Sequence, residues 1–154
     1  VIVTSADGAL AARAPEGWTS GPRETMPAGV AAWLVSADGG AVIALREISL
    51  DRLAGQRVRK EGLSLLARLS LSFRTDSARS AENVSFAEYR LGENDVCSYE
   101  VVTGGGWNHV IVAVIGGRCY ECEASSAHPG PEAVGRIVDA QEAFVANLTT
   151  SIRG

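Results

Sequence analysis

No uninterrupted apolar run in this chain exceeds six residues, far short of the ~20 that a membrane-spanning helix needs. There is no dense block of Lys and Arg either. The tightest, Arg57-Val58-Arg59-Lys60, is interrupted by Glu61, and the 154 residues carry a formal net charge of −4. That leaves no nucleic-acid footprint; a solvated helix face is the ordinary reading of such a cluster. Histidine occurs only twice, and no G-x-S-x-G, H-E-x-x-H or related signature accompanies His109 or His128. A general base would need a nucleophile or carboxylate beside it, and none is legible. Gly104-Gly105-Gly106 lies between two predicted strands, without the helix start and Lys-Ser/Thr of a phosphate cradle, and reads as a turn or loop. The chain begins at Val1 with no Met and no charged-then-apolar leader. The expectation is that an N-terminal piece has been removed, whether a signal peptide, a lipid-anchor segment or a truncated stretch.

Hydrophobic content of 46% and charged content of 21% are ordinary globular values. The length suits one core of normal size, and a single domain is expected over 1–154. The organising stretch is Val110-Ile111-Val112-Ala113-Val114-Ile115. β-branched residues favour an extended chain, and an unbroken run implies burial on both faces of a sheet. Gly116-Gly117 supplies two residues for a type I′ turn, so 118–125 should return as the antiparallel neighbour. Short Gly-containing connections also join 84–91, 95–103 and 107–115, which makes the C-terminal half a meander. Earlier, 8–13 reads as a short strand, residues 1–7 as a lead-in and 19–29 as loop. Residues 30–35 and 41–48 form a hairpin around Asp38-Gly39-Gly40.

Two stretches have helical period. From Ser49 onward, Leu50, Leu53, Ala54, Val58, Leu65, Leu66 and Leu69 share one side of a wheel, with Ser49 placed as N-cap. Gly55 and Gly62 each cost roughly 1 kcal/mol against Ala in a helix interior. A close approach to the sheet is preferred to a break as the reason for them. Residues 70–74 alternate and could be a short strand, and 75–83 is polar enough for a surface loop. The last helix opens at Pro131 after Gly130, with Val134, Ile137, Val138, Gln141, Val145, Leu148 and Ile152 as its stripe and Phe144 beside it. The expected fold is therefore α+β: an α/β/α sandwich whose mostly antiparallel sheet is covered by helices at about 50–69 and 131–152.

The cysteines are Cys97, Cys119 and Cys122. Cys119 and Cys122 match C-x-x-C, but inside a strand they would point to opposite faces about 10 Å apart, whereas a disulfide needs Cα atoms within about 7 Å. Cys97 lies on a strand separated from theirs by the 110–115 strand, about 9.5 Å away at two inter-strand spacings. Three free thiols are expected, although an exported chain tends to oxidise its cysteines. A fourth zinc ligand is lacking, so no metal or cofactor is expected. Trp18, Trp33 and Trp107 read first as core or edge packing; Trp107, beside three glycines, is the one candidate for exposure. Trp107 and His109 are the candidate residues of a partner-binding surface.

Asp7-Gly8-Ala9-Leu10 leads to Pro15-Glu16-Gly17-Trp18; a strand ending Leu45-Arg46-Glu47, a helix, a meander and a last helix running to Ser151-Ile152-Arg153 follow. In these motifs and in element order the chain resembles the Mog1/PsbP-like family, including its bacterial DcrB-like and lipoprotein branches. The resemblance implies a mostly non-catalytic role. Its members include photosystem subunits, a binder of a small nuclear-transport GTPase, bacterial lipoproteins and chaperone-like adaptors, and it carries over no functional residue. The leading expectation is a non-enzymatic binding or accessory module of a bacterial exported or envelope protein, with another protein as partner and the periplasm or cell envelope as its location. A cytoplasmic chaperone-like adaptor holding an apolar partner segment is the alternative. An enzyme using His109 or a thiol is the third reading.

Overall fold

The structure, a computed structural model, describes residues 1–74, 84–103 and 106–150. Seven strands form one antiparallel sheet: β3 (Trp18–Ser20), β4 (Val30–Ser36), β5 (Ala41–Ile48), β6 (Ala87–Leu91), β7 (Asn94–Thr103), β8 (Gly106–Ile115) and β9 (Arg118–Ser126). Their spatial order is β3-β4-β5-β9-β8-β7-β6. A second, three-stranded sheet in the order β1-β2-β10 joins Ile2–Thr4, Leu10–Arg13 and Thr149–Thr150. The helices are α1 (Arg52–Glu61), α2 (Leu63–Ser72) and α3 (Pro131–Ala146), with a single 3-10 turn at Arg23–Thr25. α2 packs on β7 and β8 with α1 against it, while α3 covers the other face over β9. This is the expected α+β sandwich with its C-terminal meander.

The valine–isoleucine strand is dry on two sides from Val110 to Ala113, but Val114, expected to be buried with them, is 44% exposed. Ile111 and Ala113 enter the core under α3, while Val110 and Val112 enter the core under α2. Gly116 and Gly117 both have positive φ, +60° and +78°, and Ile115 pairs with Arg118, so the two-residue hairpin turn is formed. The middle of the sheet, however, is β9 rather than β8. The hairpin β4–β5 docks its second strand along β9, with Ile43 opposite Ala124 and Leu45 opposite Cys122.

Several boundaries differ from the sequence expectation. Residues 2–4 form β1 and 18–20 form β3, both three-residue strands too short to show a period. Residues 70–72 finish α2 instead of starting a strand, and the loop expected at 75–83 lies outside the described residues. The last helix stops at Ala146, so Leu148 packs from beyond its end; Ile152 is not among the described residues. The expected helix 50–69 is two helices. Its N-cap is Asp51, whose carboxylate accepts from the Ala54 N–H at 2.8 Å, not Ser49. Its break is Gly62, at φ +91° and ψ −167°, a conformation open essentially to glycine alone. The Gly62 N–H closes α1 by donating to the Val58 carbonyl at 2.7 Å, and α2 then restarts with a new helical phase. That reset explains why Leu53, placed by the wheel on the buried side, is 73% exposed.

The two glycines of this segment therefore have opposite substitution effects. Gly62→Ala is expected to cost about 1–3 kcal/mol through the forced backbone, read as a lower urea midpoint at unchanged m. Gly55 is helical, and a Cβ there meets nothing within 4 Å. Gly55→Ala should add up to about 1 kcal/mol of stability and raise the midpoint. Equal effects of the two changes would contradict a break at Gly62.

Candidate functional site

Trp107 and His109 both project from β8 toward the α3 side. Trp107 is only 4% exposed, in keeping with the packing reading and not with the exposure that its glycine neighbours allowed. Its indole N–H donates to Glu100 Oε2 at 2.8 Å, and its ring stacks near-parallel to that of His109, with centroids 6.3 Å apart. His109 is half-buried against Gln141 of α3, itself wholly buried. The Gln141 Nε2 donates to two backbone carbonyls, those of His109 and Cys122, each at 2.8 Å. Both amide protons are thereby used, so Oε1 must face the ring and accept from His109 Nδ1 at 2.6 Å. The glutamine thus clamps α3 onto β8 and β9 and fixes a proton on Nδ1. A catalytic pair at His109 would want a carboxylate or thiol there, and the group present is an amide.

The three cysteines are free. Cys97 and Cys122 are buried and Cys119 is half-buried. Cys97 packs under α2 and Cys122 under α3, on opposite faces of the sheet, while β8 separates β7 from β9. Burial pushes all three thiols up from the ordinary cysteine value; nearby Glu88 adds to this at Cys97, and Glu123 adds to it at Cys122.

A polar network not anticipated from the sequence lies beneath α2. Glu121 and Glu123 share the α2-facing side of β9. Ser70 donates to Glu121 at 2.5 Å; having no second proton, it accepts from the Tyr99 hydroxyl at 2.7 Å. Arg74 donates to Tyr99 at 2.9 Å and to Glu121 and Glu123. Burial opposes the Arg74 charge, but Glu123, Tyr99 and Glu121 together outweigh it and hold that guanidinium protonated. Among the described residues every buried side-chain nitrogen and oxygen has a partner. The available signal was the alternation Glu121-Cys122-Glu123-Ala124, which puts two carboxylates on one face of a strand whose other face is core.

A large concavity lies elsewhere, at the sheet end beside the α1–α2 break. A trough of about 770 Å³ is walled by Gly55, Val58 and Arg59 of α1 and by Gly62 and Leu63. Its floor is the end of β5 (Ile48, then Leu50), Cys119 of β9 and Val114 of β8, with Glu93, Asn94 and Asp95 at the far rim. Val114 is 44% exposed, although its strand is internal and Val112 and Val110 beside it are wholly buried. Helical cover therefore ends between positions 112 and 114. Arg118 closes the near end. Its guanidinium holds both Glu47 oxygens at 2.9 and 3.0 Å and Asp7 at 3.0 Å, and these partners raise its pKa. No group of three His, Cys, Asp or Glu among the described residues is arranged to hold a metal, and none of their helices is long and apolar enough to cross a membrane.

The architecture is shared with solved structures. A cyanobacterial PsbP (CyanoP) from Synechocystis sp. PCC 6803 superposes with a TM-score of 0.55 at 11% identity, covering 97% of this chain and 91% of that one. This chain has the Mog1/PsbP-like fold. A protein of Bacteroides thetaiotaomicron gives a TM-score of 0.57 at 12% identity, over 99% of this chain but only 49% of its own. The chain thus spans about half the length of that protein. LpqN of Mycobacterium tuberculosis, described as involved in cell envelope biogenesis, gives 0.46 at 12% identity, covering 99% and 90% of the two chains. At such identities the first two establish likeness of fold alone. No protein-family model matches the sequence, and no curated protein resembles it closely enough to count as a match.

Two measurements follow from these contacts. In nitrogen-15 spectra of the native protein, His109 should show a protonated Nδ1. Gln141→Leu should release that proton preference and cost about 1–3 kcal/mol through the stranded donor. An Nε2–H ring in the wild type would contradict the clamp. In thiol titration without reductant, the denatured chain should yield three thiols. The native protein should react at Cys119 first, slowly at pH 7 and faster as pH rises toward its elevated pKa; a count of one in the denatured chain would mean a disulfide.

Proposed function

We propose that the protein is a non-catalytic binding module, an accessory to another protein of a bacterial envelope or exported assembly, and that its docking place is the trough beside Gly62. The observation that carries this is Val114: an aliphatic side chain on an internal strand, left 44% exposed at the floor of a concave site. Sheets covered on both faces normally bury such positions, and an uncovered one in a groove marks a binding surface. The fold supports the same reading, because PsbP-like folds resemble a family of mostly non-catalytic subunits. The envelope location rests on the resemblance to that family's lipoprotein branch. Trp107 and His109, the surface first expected, are replaced as the docking candidates because the indole is buried and the imidazole is engaged by Gln141.

Site-specific photo-crosslinking in cells of the source organism tests this. A benzoylphenylalanine at position 114 should capture one discrete protein, and the adduct should fractionate with the envelope. The same probe at exposed Arg136 on α3, on the opposite face, should not capture it. Identical adducts from both positions, or none from 114, would remove the trough as the docking place. A cytoplasmic adduct would favour the adaptor reading.

A further inference from the structure

We infer that the trough takes an extended peptide segment with aliphatic side chains and at least one Lys or Arg. This deepens, and rests on, the docking reading above. Three features select this occupant. The apolar lining is aliphatic (Ile48, Leu50 and Val114 with Cys119 in the floor, Val58 and Leu63 in the walls), and no aromatic ring lines the trough, so a flat heterocycle would find nothing to stack on. The charged lining is three carboxylates, Glu47, Glu93 and Asp95, against two guanidinium groups, Arg59 and Arg118. Arg118 is already satisfied by Glu47 and, from outside the trough, by Asp7, so it offers little to an anionic ligand. At the opposite rim Glu93 has no ion-pair partner among the described residues, and Asp95 has only a loose one, Arg90 at 3.8 Å. With Glu47 and Arg118 paired to each other, Glu93 and Asp95 together outnumber Arg59 on the α1 wall, and they sit at the opposite rim from it, where they are complementary to a basic side chain.

The shape agrees. The trough crosses the ends of β5, β9, β8 and β7, three inter-strand steps or about 14 Å, which four or five extended residues span at about 3.3 Å each. It is an open channel with polar rims rather than a closed tunnel, and so can accommodate the hydrogen-bonding edges of a peptide backbone, which an alkyl chain lacks. Because the floor consists of side chains and not a free strand edge, recognition runs through apolar contact and charge rather than strand addition.

Panning random heptapeptides displayed on phage against the full chain tests the assignment. Enriched sequences should be rich in Val, Leu and Ile and carry Lys or Arg, and their synthetic versions should bind in fluorescence anisotropy with salt-sensitive Kd. Glu93→Lys combined with Asp95→Lys should weaken those peptides about tenfold, equivalent to about 1.4 kcal/mol, and turn the selection toward acidic sequences. Gly55→Trp, whose Cβ meets no atom within 4 Å, should fill the trough and abolish binding, with thermal melting confirming that both variants fold. Enrichment of acidic peptides by the wild type, or of peptides indifferent to Gly55→Trp, overturns the proposal. So does capture of dansyl-undecanoic acid in place of peptide, which would make the ligand an acyl chain. Failure of every peptide while position 114 still crosslinks a partner would overturn the peptide occupant but leave the docking place intact.

Discussion

The controlling constraint is that strands β8 and β9 are internal and must be covered on both faces, which among the described residues falls to three helices and a small second sheet. An antiparallel sheet can leave one face wet, and its strands then alternate. Here Val110 through Ala113 are buried one after another, so neither face can be open along that length. The chain meets this by placing α2 over β7 and β8, α3 over β9, and the β1-β2-β10 sheet against the core below α3. The free energy of those two dry layers holds the elements together; single contacts then decide where each helix sits.

The polar residues in these layers set position rather than bulk stability. A glutamine wholly buried under α3 is tolerable because all three of its bonds are made, two of them to carbonyls of adjacent strands. Sliding α3 along the sheet would break all three together. On the other face, Arg74, Tyr99 and Ser70 connect the end of α2 to two carboxylates of the central strand. Such a cluster contributes little net energy over an apolar replacement, but it is costly to misalign. One polar lock per face is a simple way for a sandwich with few aromatic residues to fix its register.

Much of this architecture was legible because local chemistry encodes it. Two adjacent glycines after a β-branched run gave the β8–β9 hairpin, and Pro131 with its following stripe gave α3. Non-local facts were less accessible. Nothing in residues 41–48 says that their partner is 118–126, so β9 rather than β8 occupies the centre. Gly62 was ambiguous for a physical reason: a wheel drawn through a broken helix still collects leucines on one side, and only φ +91° distinguishes a break from a close approach. The glycines beside Trp107 left its exposure open, because its covering is non-local and comes from α3-side packing and from Glu100 on the neighbouring strand. The candidate site was the least legible part, since it is assembled from segments spread between Glu47 and Cys119 that share no motif.

The break and the site are one feature seen from two sides. A single straight helix from 52 to 72 would have had no reason to stop covering the sheet short of its end. By turning at Gly62 the chain keeps α2 on β7 and β8, yet holds α1 by only one buried residue, Val58. Cover then fails over Val114 and Cys119, and the uncovered floor acquires a helix wall on one side and the acidic β6–β7 turn on the other. A residue that could extend the helix through position 62 would favour closing that gap; glycine, with its access to positive φ and its lack of a side chain, keeps it open. The conformational freedom that weakens a helix interior is what gives this sandwich a concave surface, and the cost is local because α1 contributes only Val58 to the dry layer beneath α2 and nothing to the one beneath α3.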